Sequence, residues 1–356
     1  MPSPDGLIRT AVVGYGLAGS AFHAPVVDAT DGMAVTAVVT RNPERSDAAR
    51  ARYPGVHVVA DFADLFRRPD EVDLVVIATP NRTHVSIALA AIEAGRAVVI
   101  DKPVAATAAD ARRVRDAAAR RGLLVSVFHN RRWDGDALTL TQLLADGDLG
   151  RVHRFESRFE RWRPQVNLGS WREQPDPDDA GGLLYDLGSH LIDQALRWFG
   201  PVTSVYAELR TVRPRAQVDD DVFIALSHAG GTQSHLWASA VAADLGPRFR
   251  VLGSAGSFVK YGLDVQEDAL RAGGSPSDVG WGAEPETAWG QVGTPGHTRT
   301  VRTLPGAYQH YYEDLRDALR GHKPPPVTIA EAIDVIGIIE AAEQSARDGV
   351  TVGVTD

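Results

Sequence analysis

The chain has 356 residues, enough for two domains, with 44% hydrophobic and 23% charged residues and a formal net charge of −9. The negative balance excludes non-specific nucleic-acid binding through a positive field, and the absence of cysteine excludes disulfides, thiolate zinc sites and cysteine nucleophiles. No apolar run approaches the ~20 residues of a membrane span, and the opening MPSPDGLIRTAVVGYG lacks a basic region followed by a signal-type run, so neither membrane insertion nor secretion is expected and the composition fits the cytosol.

Six apolar runs come first: 7–13, 34–39, 57–60, 73–78, 97–100 and 123–127. They are nearly continuous and rich in valine and isoleucine, as strands buried on both faces of a parallel sheet must be. Helical patterns separate them. Thr83 is placed to cap a helix that stops at Gly95, and Thr107 one that stops at Gly122. After residue 150 the pattern changes. The segment 152–162 alternates, with Phe155 and Phe159 on one side and Glu156, Arg158 and Glu160 on the other, which predicts an antiparallel strand with one polar face. Further strands are expected at 202–209, 221–228, 232–241 and 248–254. Residues 271–298, rich in Gly, Pro and Ser, read as a long excursion. A capping box, Thr328 with Glu331, opens a final helix ending at Gly349.

VVGYGLAGSAFHAP (12–25) sets Gly14, Gly16 and Gly19 in G-x-G-x-x-G directly after the first strand and at the opening of a helix. In that context the glycines serve a tight turn, close approach to a pyrophosphate and close helix–sheet packing. The pyrophosphate would sit on the helix N-terminus, where free N–H groups favour an anion. At the end of the second strand an NAD-specific site usually carries an acid; here stand Thr40 and Arg41, with no acid until Glu44. A hydroxyl and a guanidinium suit a 2′-phosphate, so NADP(H) is expected as the preferred cofactor, with NAD as the other option. The expected fold is α/β. It pairs a Rossmann dinucleotide-binding domain over 1–128 with an α+β domain over 129–356 built on a large, mostly antiparallel open sheet. The C-terminal helix has the option of packing back on the first domain.

The fifth strand ends in Asp101-Lys102-Pro103. Read alone, this lysine is either a surface residue where the chain leaves the core or a catalytic group at the sheet edge where open α/β folds bind ligands. In GGLLYDLGSHLIDQALRWFG (181–200), Leu187, Leu191, Ala195 and Trp198 recur at helical spacing and would pack inward. Asp186, His190 and Asp193 fall on another face, where Asp186 and His190 would make an acid–base pair one turn apart. Those three residues could imitate a metal triad; if the strand-end lysine is catalytic it already supplies the electrophile, and no metal is required.

Together GYGLAG, ATPNRTH (78–84), DKP (101–103) and GGLLYDLGSH (181–190) resemble the glucose–fructose oxidoreductase and inositol dehydrogenase family (Gfo/Idh/MocA). Segments 126–140, 155–166 and 171–194 resemble its bacterial scyllo-inositol dehydrogenase branch. The resemblance covers nearly the whole chain. It implies Lys102, Asp186 and His190 as the catalytic set, with Asp101 where the family usually has glutamate. It implies cofactor contacts at Gly14, Tyr15, Gly16, Leu17, Ala18, Gly19, Thr40, Arg41, Thr79, Pro80, Asn81, His84, Asp101, Lys102 and Asn130. Substrate contacts fall to Arg131, Trp133, Arg163 and Trp171 with Asp186 and His190, although each of the first four also reads as an ordinary inter-domain contact. The loop 130–133 would face the cleft, and Glu160, Arg163 and Trp171 would approach from the other domain. The family implies an NAD(P)-dependent oxidoreductase of a cyclic polyol and its ketone, most simply scyllo-inositol and the inosose. Alternatives are an aldose or keto-sugar reductase, or a regulator that binds nucleotide without catalysis. Assembly into a dimer or tetramer through the C-terminal sheet is implied as well.

Overall fold

The computed structural model describes residues 6–67 and 71–354. The chain divides into two compact units that interleave along the sequence: Met1–Trp133 with Gln266–Trp281 and Ala307–Ile333, and Asp134–Val265 with Gly282–Gly306 and Asp334–Asp356. The first exchange falls close to the boundary expected at 128/129; the later exchanges have no counterpart in it.

In the first unit, β1 (Ile8–Val13), β2 (Met33–Val39), β3 (His57–Val59), β4 (Leu74–Ile77), β5 (Ala97–Asp101) and β6 (Val125–Phe128) form a six-stranded sheet of order β3-β2-β1-β4-β5-β6. Every neighbouring pair is parallel. This is the doubly wound Rossmann order, in which the direction of strand addition reverses between β1 and β4. The strands carry the expected valines and isoleucines, which are fully buried on β4 and over Val98–Ile100 of β5. Its helices are α1 (Ala24–Asp28), α2 (Pro43–Arg52), α3 (His84–Glu93) and α4 (Ala108–Arg121).

Helix α4 has the predicted ends. The Asp110 N–H donates to Thr107 Oγ1 at 3.1 Å, and Gly122 closes the helix in the left-handed region. Thr83 stands before α3 but does not cap it. A 3₁₀ turn over Asn81–Thr83 leaves Thr83 with a helical rather than extended backbone, so its hydroxyl turns back to the Pro80 carbonyl, to which it donates at 2.8 Å, and lies 2.7 Å from the Thr79 hydroxyl.

The second unit opens with α5 (Gly135–Ala145). It contains a nine-stranded sheet of order β14-β13-β12-β11-β7-β10-β9-β8-β15. Its strands are β7 (Val152–Glu160), β8 (Val202–Arg210), β9 (Asp221–His228), β10 (Gln233–Ser239), β11 (Phe249–Gly253), β12 (Ser257–Lys260), β13 (Gly290–Thr294), β14 (His297–Val301) and β15 (Val352–Gly353). Helix α6 (Ser189–Phe199) contacts β7 and β10 through one face of the sheet. The remaining helices are α7 (Gln266–Arg271), α8 (Gln309–Leu319) and α9 (Ile329–Asp348), the first two in the first unit and the last running from one unit's residues into the other's.

Two expectations are corrected here. Strand β7 is antiparallel to β11 but parallel to β10, because β9 and β10 form a hairpin whose second arm runs alongside it. Residues 271–298 are not a plain excursion, since β13 and the start of β14 add two strands to the sheet edge. The alternation on β7 is as read. Phe155 and Phe159 are fully buried, whereas Glu156 faces the other side and accepts from Arg158 at 3.1 Å and Arg250 at 2.6 Å.

A buried ion pair fixes the link between β8 and β9. Arg213 donates to Asp220 at 2.9 Å and to Glu173 at 2.8 Å, and Asp220 also accepts the Val212 and Arg213 N–H groups. Replacing one partner of such a pair strands the other charge. Arg213→Met should therefore lower the unfolding free energy by about 3–5 kcal/mol in chemical denaturation. Adding Asp220→Asn should restore part of the loss; a single variant within ~0.5 kcal/mol of wild type would contradict this.

Candidate active site

In the first unit, the loops after β1, β4 and β5 all leave the sheet at its carboxyl edge. Gly14 has a φ of +92°, and a Cβ there would stand 2.6 Å from the Ala78 carbonyl oxygen at the end of β4. A Cβ at Gly19 would stand 1.9 Å from the Gly14 oxygen. Both glycines are thus demanded by the fold. Gly16 is different: the nearest atom to a Cβ there is a guanidinium nitrogen of Arg45, at 3.7 Å. No protein atom requires glycine at that position, which fits a loop kept bare for close approach of a pyrophosphate. Ala18–His23 forms a π-turn that leads into α1, and Leu17 is exposed at its start. Tyr15 turns inward, and burial pushes its phenol up.

Thr40 directly follows β2, and its hydroxyl accepts the Asn42 N–H at 3.3 Å. Arg41 lies along β3's exit, donating to the Ala60 carbonyl and to Asp61, both at 3.3 Å. Arg45, one turn into α2, is the cation beside the glycine loop. The sequence reading missed it because its approach to Gly16 depends on how the first turn of α2 meets the glycine loop; the signal was a second arginine in the first turn of the helix that follows Thr40 and Arg41.

Lys102 follows directly on β5. Its N–H donates to Asp101 Oδ1 at 2.8 Å, so the acid holds the backbone of the lysine it precedes. Burial would raise Asp101, but the neighbouring His23 imidazole, with Lys102 and His84, outweighs it and holds the carboxyl below its usual range. His84 is buried between the loop after β4 and the loop after β5, with Nδ1 2.9 Å from the Pro103 carbonyl and Nε2 2.9 Å from the Thr79 carbonyl; its neutral form donates to one of the two. Burial pushes this imidazole down despite the pull of Asp101 and the two carbonyls. Asn81 is buried nearby and Pro80 is exposed.

The loop Asn130–Trp133 follows β6, and all four residues are buried. Arg131 donates to Glu267 at 2.5 Å and Tyr308 at 3.2 Å, Arg132 donates to Glu331 at 2.8 Å, and the Trp133 ring meets Tyr311 edge-on. These partners come from segments late in the chain, which no local pattern in NRRW announces.

In the second unit, Asp186 lies in a π-turn (Leu184–Gly188) that runs directly into α6, where His190 is in the first turn. The expected single α-helix is therefore wider at Asp186, a feature frequent at functional sites. Leu187, Leu191 and Ala195 are buried as read. Trp198 is half-buried and donates from its indole to Thr141 Oγ1 at 3.0 Å. His190 and Asp193 are buried. Asp186 Oδ1 is 3.5 Å from Arg172 Nε, and the Arg172 guanidinium lies 4.4 Å from the Trp171 ring centroid. Arg172 is a second residue that the sequence reading passed over; it stood beside Trp171 as the matching cation for the acid. Arg163 is exposed, and Glu160 accepts the Gly246 N–H at 2.7 Å. Among the described residues, no three His, Asp or Glu side chains are grouped to hold a metal ion. No helix there is long and apolar enough to cross a membrane.

The fold and the glycine loop define an oxidoreductase with a dinucleotide-binding domain. Residues 8–129 match the description "Oxidoreductase family, NAD-binding Rossmann fold", and residues 141–354 match "Oxidoreductase family, C-terminal alpha/beta domain". The chain belongs to the Gfo/Idh/MocA oxidoreductase family. It is 37% identical to scyllo-inositol 2-dehydrogenase (NADP(+)) IolW of Bacillus subtilis, over 97% of this chain and 95% of that one. It is 42% identical to the oxidoreductase YdgJ of Escherichia coli K12, over 97% of this chain and 98% of that one. The structure of the oxidoreductase yvaA of Bacillus subtilis superposes with a TM-score of 0.93 at 36% identity, covering 99% of both chains.

The segment carrying Asp186 is anchored by Asp219, whose Oδ2 accepts the Leu184 N–H at 2.8 Å. Gly182 precedes it with a φ of +90°, and a Cβ there would lie 2.2 Å from Asp219 Oδ1. Burial pushes the Asp219 carboxyl up to about 6, against the pull of the Leu184 and Leu183 N–H groups and with help from Glu343. Between the ordinary carboxylate value and about 6, the unfolded chain releases this proton while the fold retains it. Stability from this group therefore falls as pH rises across that interval and levels off above it. Asp219→Asn keeps an acceptor and removes the charge. It should raise the thermal midpoint at about pH 8, with a gain that shrinks towards about pH 5. A gain that does not vary with pH, or a loss at the higher pH, would contradict this.

Proposed function

We propose that the chain is an NADP(H)-preferring dehydrogenase that interconverts a cyclic polyol and its ketone, with scyllo-inositol and the matching inosose as the best-fitting pair. The carrying observation is the position of Lys102 at the end of β5, on the same sheet edge as the bare loop at Gly16. The similarity to IolW along nearly the whole chain supports an inositol as the substrate.

The glycine loop Gly14–Gly19, Thr79, Pro80 and the end of β5 would hold the dinucleotide, and Thr40, Arg41 and Arg45 its 2′-phosphate. When bound, the nicotinamide supplies the hydride acceptor or donor. Lys102 hydrogen-bonds the reacting oxygen and stabilises the charge that develops on it. His190 takes the hydroxyl proton in oxidation and returns it in reduction, since an imidazole titrates near neutrality. Asp186 orients that imidazole, and Arg172 holds Asp186 in turn. Trp171 and Arg163 offer an aromatic face and donors to a ring bearing many hydroxyls, a site that rejects analogues lacking them. The protein works on this small molecule in the cytoplasm, as an oligomer joined through the open face of its large sheet. That face carries the ring row Tyr206, Phe223, His235 and Trp237 and the Arg158 guanidinium 3.9 Å from the Trp237 centroid.

The test of function is a kcat/KM panel of inositol isomers, inososes, aldoses and keto-sugars with NADP(H). Scyllo-inositol or its inosose should lead; an aldose or keto-sugar ahead by tenfold would remove the inositol and leave the dehydrogenase. His190→Ala and Lys102→Ala should each lower kcat by about 10²–10⁴-fold. Cofactor choice is tested separately. Arg41→Ala and Arg45→Ala should raise KM for NADP(H) far more than for NAD(H), and a wild-type kcat/KM equal or higher with NAD(H) would overturn the preference.

A further inference from the structure

His23 closes the π-turn that the glycine loop opens and is fully buried, its ring centroid 4.2 Å from that of Phe128. Nδ1 lies 2.6 Å from the Tyr312 hydroxyl, and Nε2 lies 3.8 Å from Asp101 Oδ2. That Nε2 makes no hydrogen bond, 3.8 Å being an ion-pair rather than a hydrogen-bond distance. A phenylalanine would fill the same slot against Phe128 without burying a polar ring, so packing alone does not call for an imidazole.

The partners fix the tautomer. A carboxylate only accepts, so Nε2 carries the proton towards Asp101 and Nδ1 accepts from Tyr312. Burial holds the Tyr312 phenol far above its usual range, with Tyr311 and Asp101 adding to it, so it keeps the proton it donates. Asp101 then has two occupied oxygens: Oδ2 faces His23, and Oδ1 accepts the Lys102 N–H.

We propose that His23 is a positioning residue for Lys102, the middle of a relay Tyr312–His23–Asp101 that keeps the carboxylate ionised and aimed so that Lys102 is held at the end of β5. The inference rests on Lys102 being the catalytic lysine. The titratable groups that face this relay are Asp101 and Lys102 from β5 and its exit, His84 from α3, and Tyr311 and Tyr312 from α8; Phe128 of β6 closes it with an apolar ring. Without the imidazole, burial acts on Asp101 with less opposition and its carboxyl protonates at higher pH. The protonated acid then competes for the geometry that Lys102 depends on.

The experiment is a ¹³C-carboxyl NMR titration of Asp101 in the cofactor-free protein, paired with the pH profile of kcat for scyllo-inositol and NADP⁺. In His23→Phe the Asp101 midpoint should rise by about one pH unit or more. Tyr312→Phe should move it the same way by less, and His23→Gln, which keeps an N–H donor, should recover part of the shift. The acid limb of kcat should move in the same order, with KM for NADP⁺ unchanged. An unmoved Asp101 midpoint in His23→Phe and Tyr312→Phe, with Lys102→Met inactive, would overturn the relay alone; should His23→Phe fail to fold, Tyr312→Phe decides. Wild-type turnover in Lys102→Met would overturn both the relay and the assignment of Lys102.

Discussion

The loop after β1 must lie against the end of β4, and only glycine permits it. A side chain at residue 14 would drive a Cβ to 2.6 Å from the Ala78 carbonyl oxygen, and one at residue 19 would strike the Gly14 carbonyl. That close approach sets the crevice where the strand order reverses, the place at which open α/β sheets bind ligands. From there the site is built outward by hydrogen bonds. His84 lies between the Thr79 carbonyl and the Pro103 carbonyl, buried between the loop after β4 and the loop after β5. Asp101 takes the Lys102 N–H, and the lysine is thereby held at the sheet edge.

The second unit places the helix that carries His190 by a different means. Arg248 is buried between the Phe159 and Phe249 rings, 4.0 and 4.1 Å from their centroids. It donates to Ser157 on β7 and, at 2.8 Å, to Gln194 on α6, with Asp136 of α5 at 3.4 Å. A guanidinium is suited to this role because its planar fork can serve several acceptors while its faces stack on aromatics. One residue thereby ties the sheet to the helix that carries His190, at a point one turn beyond it.

The strands of the first unit were legible because burial on both faces leaves a nearly continuous run of Val and Ile, a local signal. The glycine loop and the ends of α4 were legible for the same reason, since each depends on neighbours within a few residues. What could not be read depends on distant partners. The parallel pairing of β7 with β10 follows from the β9–β10 hairpin, and nothing in residues 152–160 encodes it. The burial of Arg131 and Arg132 requires Glu267, Tyr308 and Glu331, all more than a hundred residues away in sequence. The π-turn at Asp186 arises where that segment is anchored by Asp219, and the spacing of D-x-x-x-H alone reads as an ordinary helix. Thr83 shows the limit of local rules: the residue type was right for a cap, but the preceding 3₁₀ turn gave it the wrong backbone.

The central claim is that this edge and this helix serve oxidation at a ring carbon bearing a hydroxyl. The most direct measurement is ¹³C NMR of uniformly labelled scyllo-inositol incubated with the wild-type protein and NADP⁺, followed alongside the cofactor absorbance. The account predicts one new ketone carbon per turnover, rising in step with the absorbance. No carbonyl signal under conditions where the protein is folded and binds NADP⁺ would contradict it, as would an absorbance change with the inositol carbons left intact.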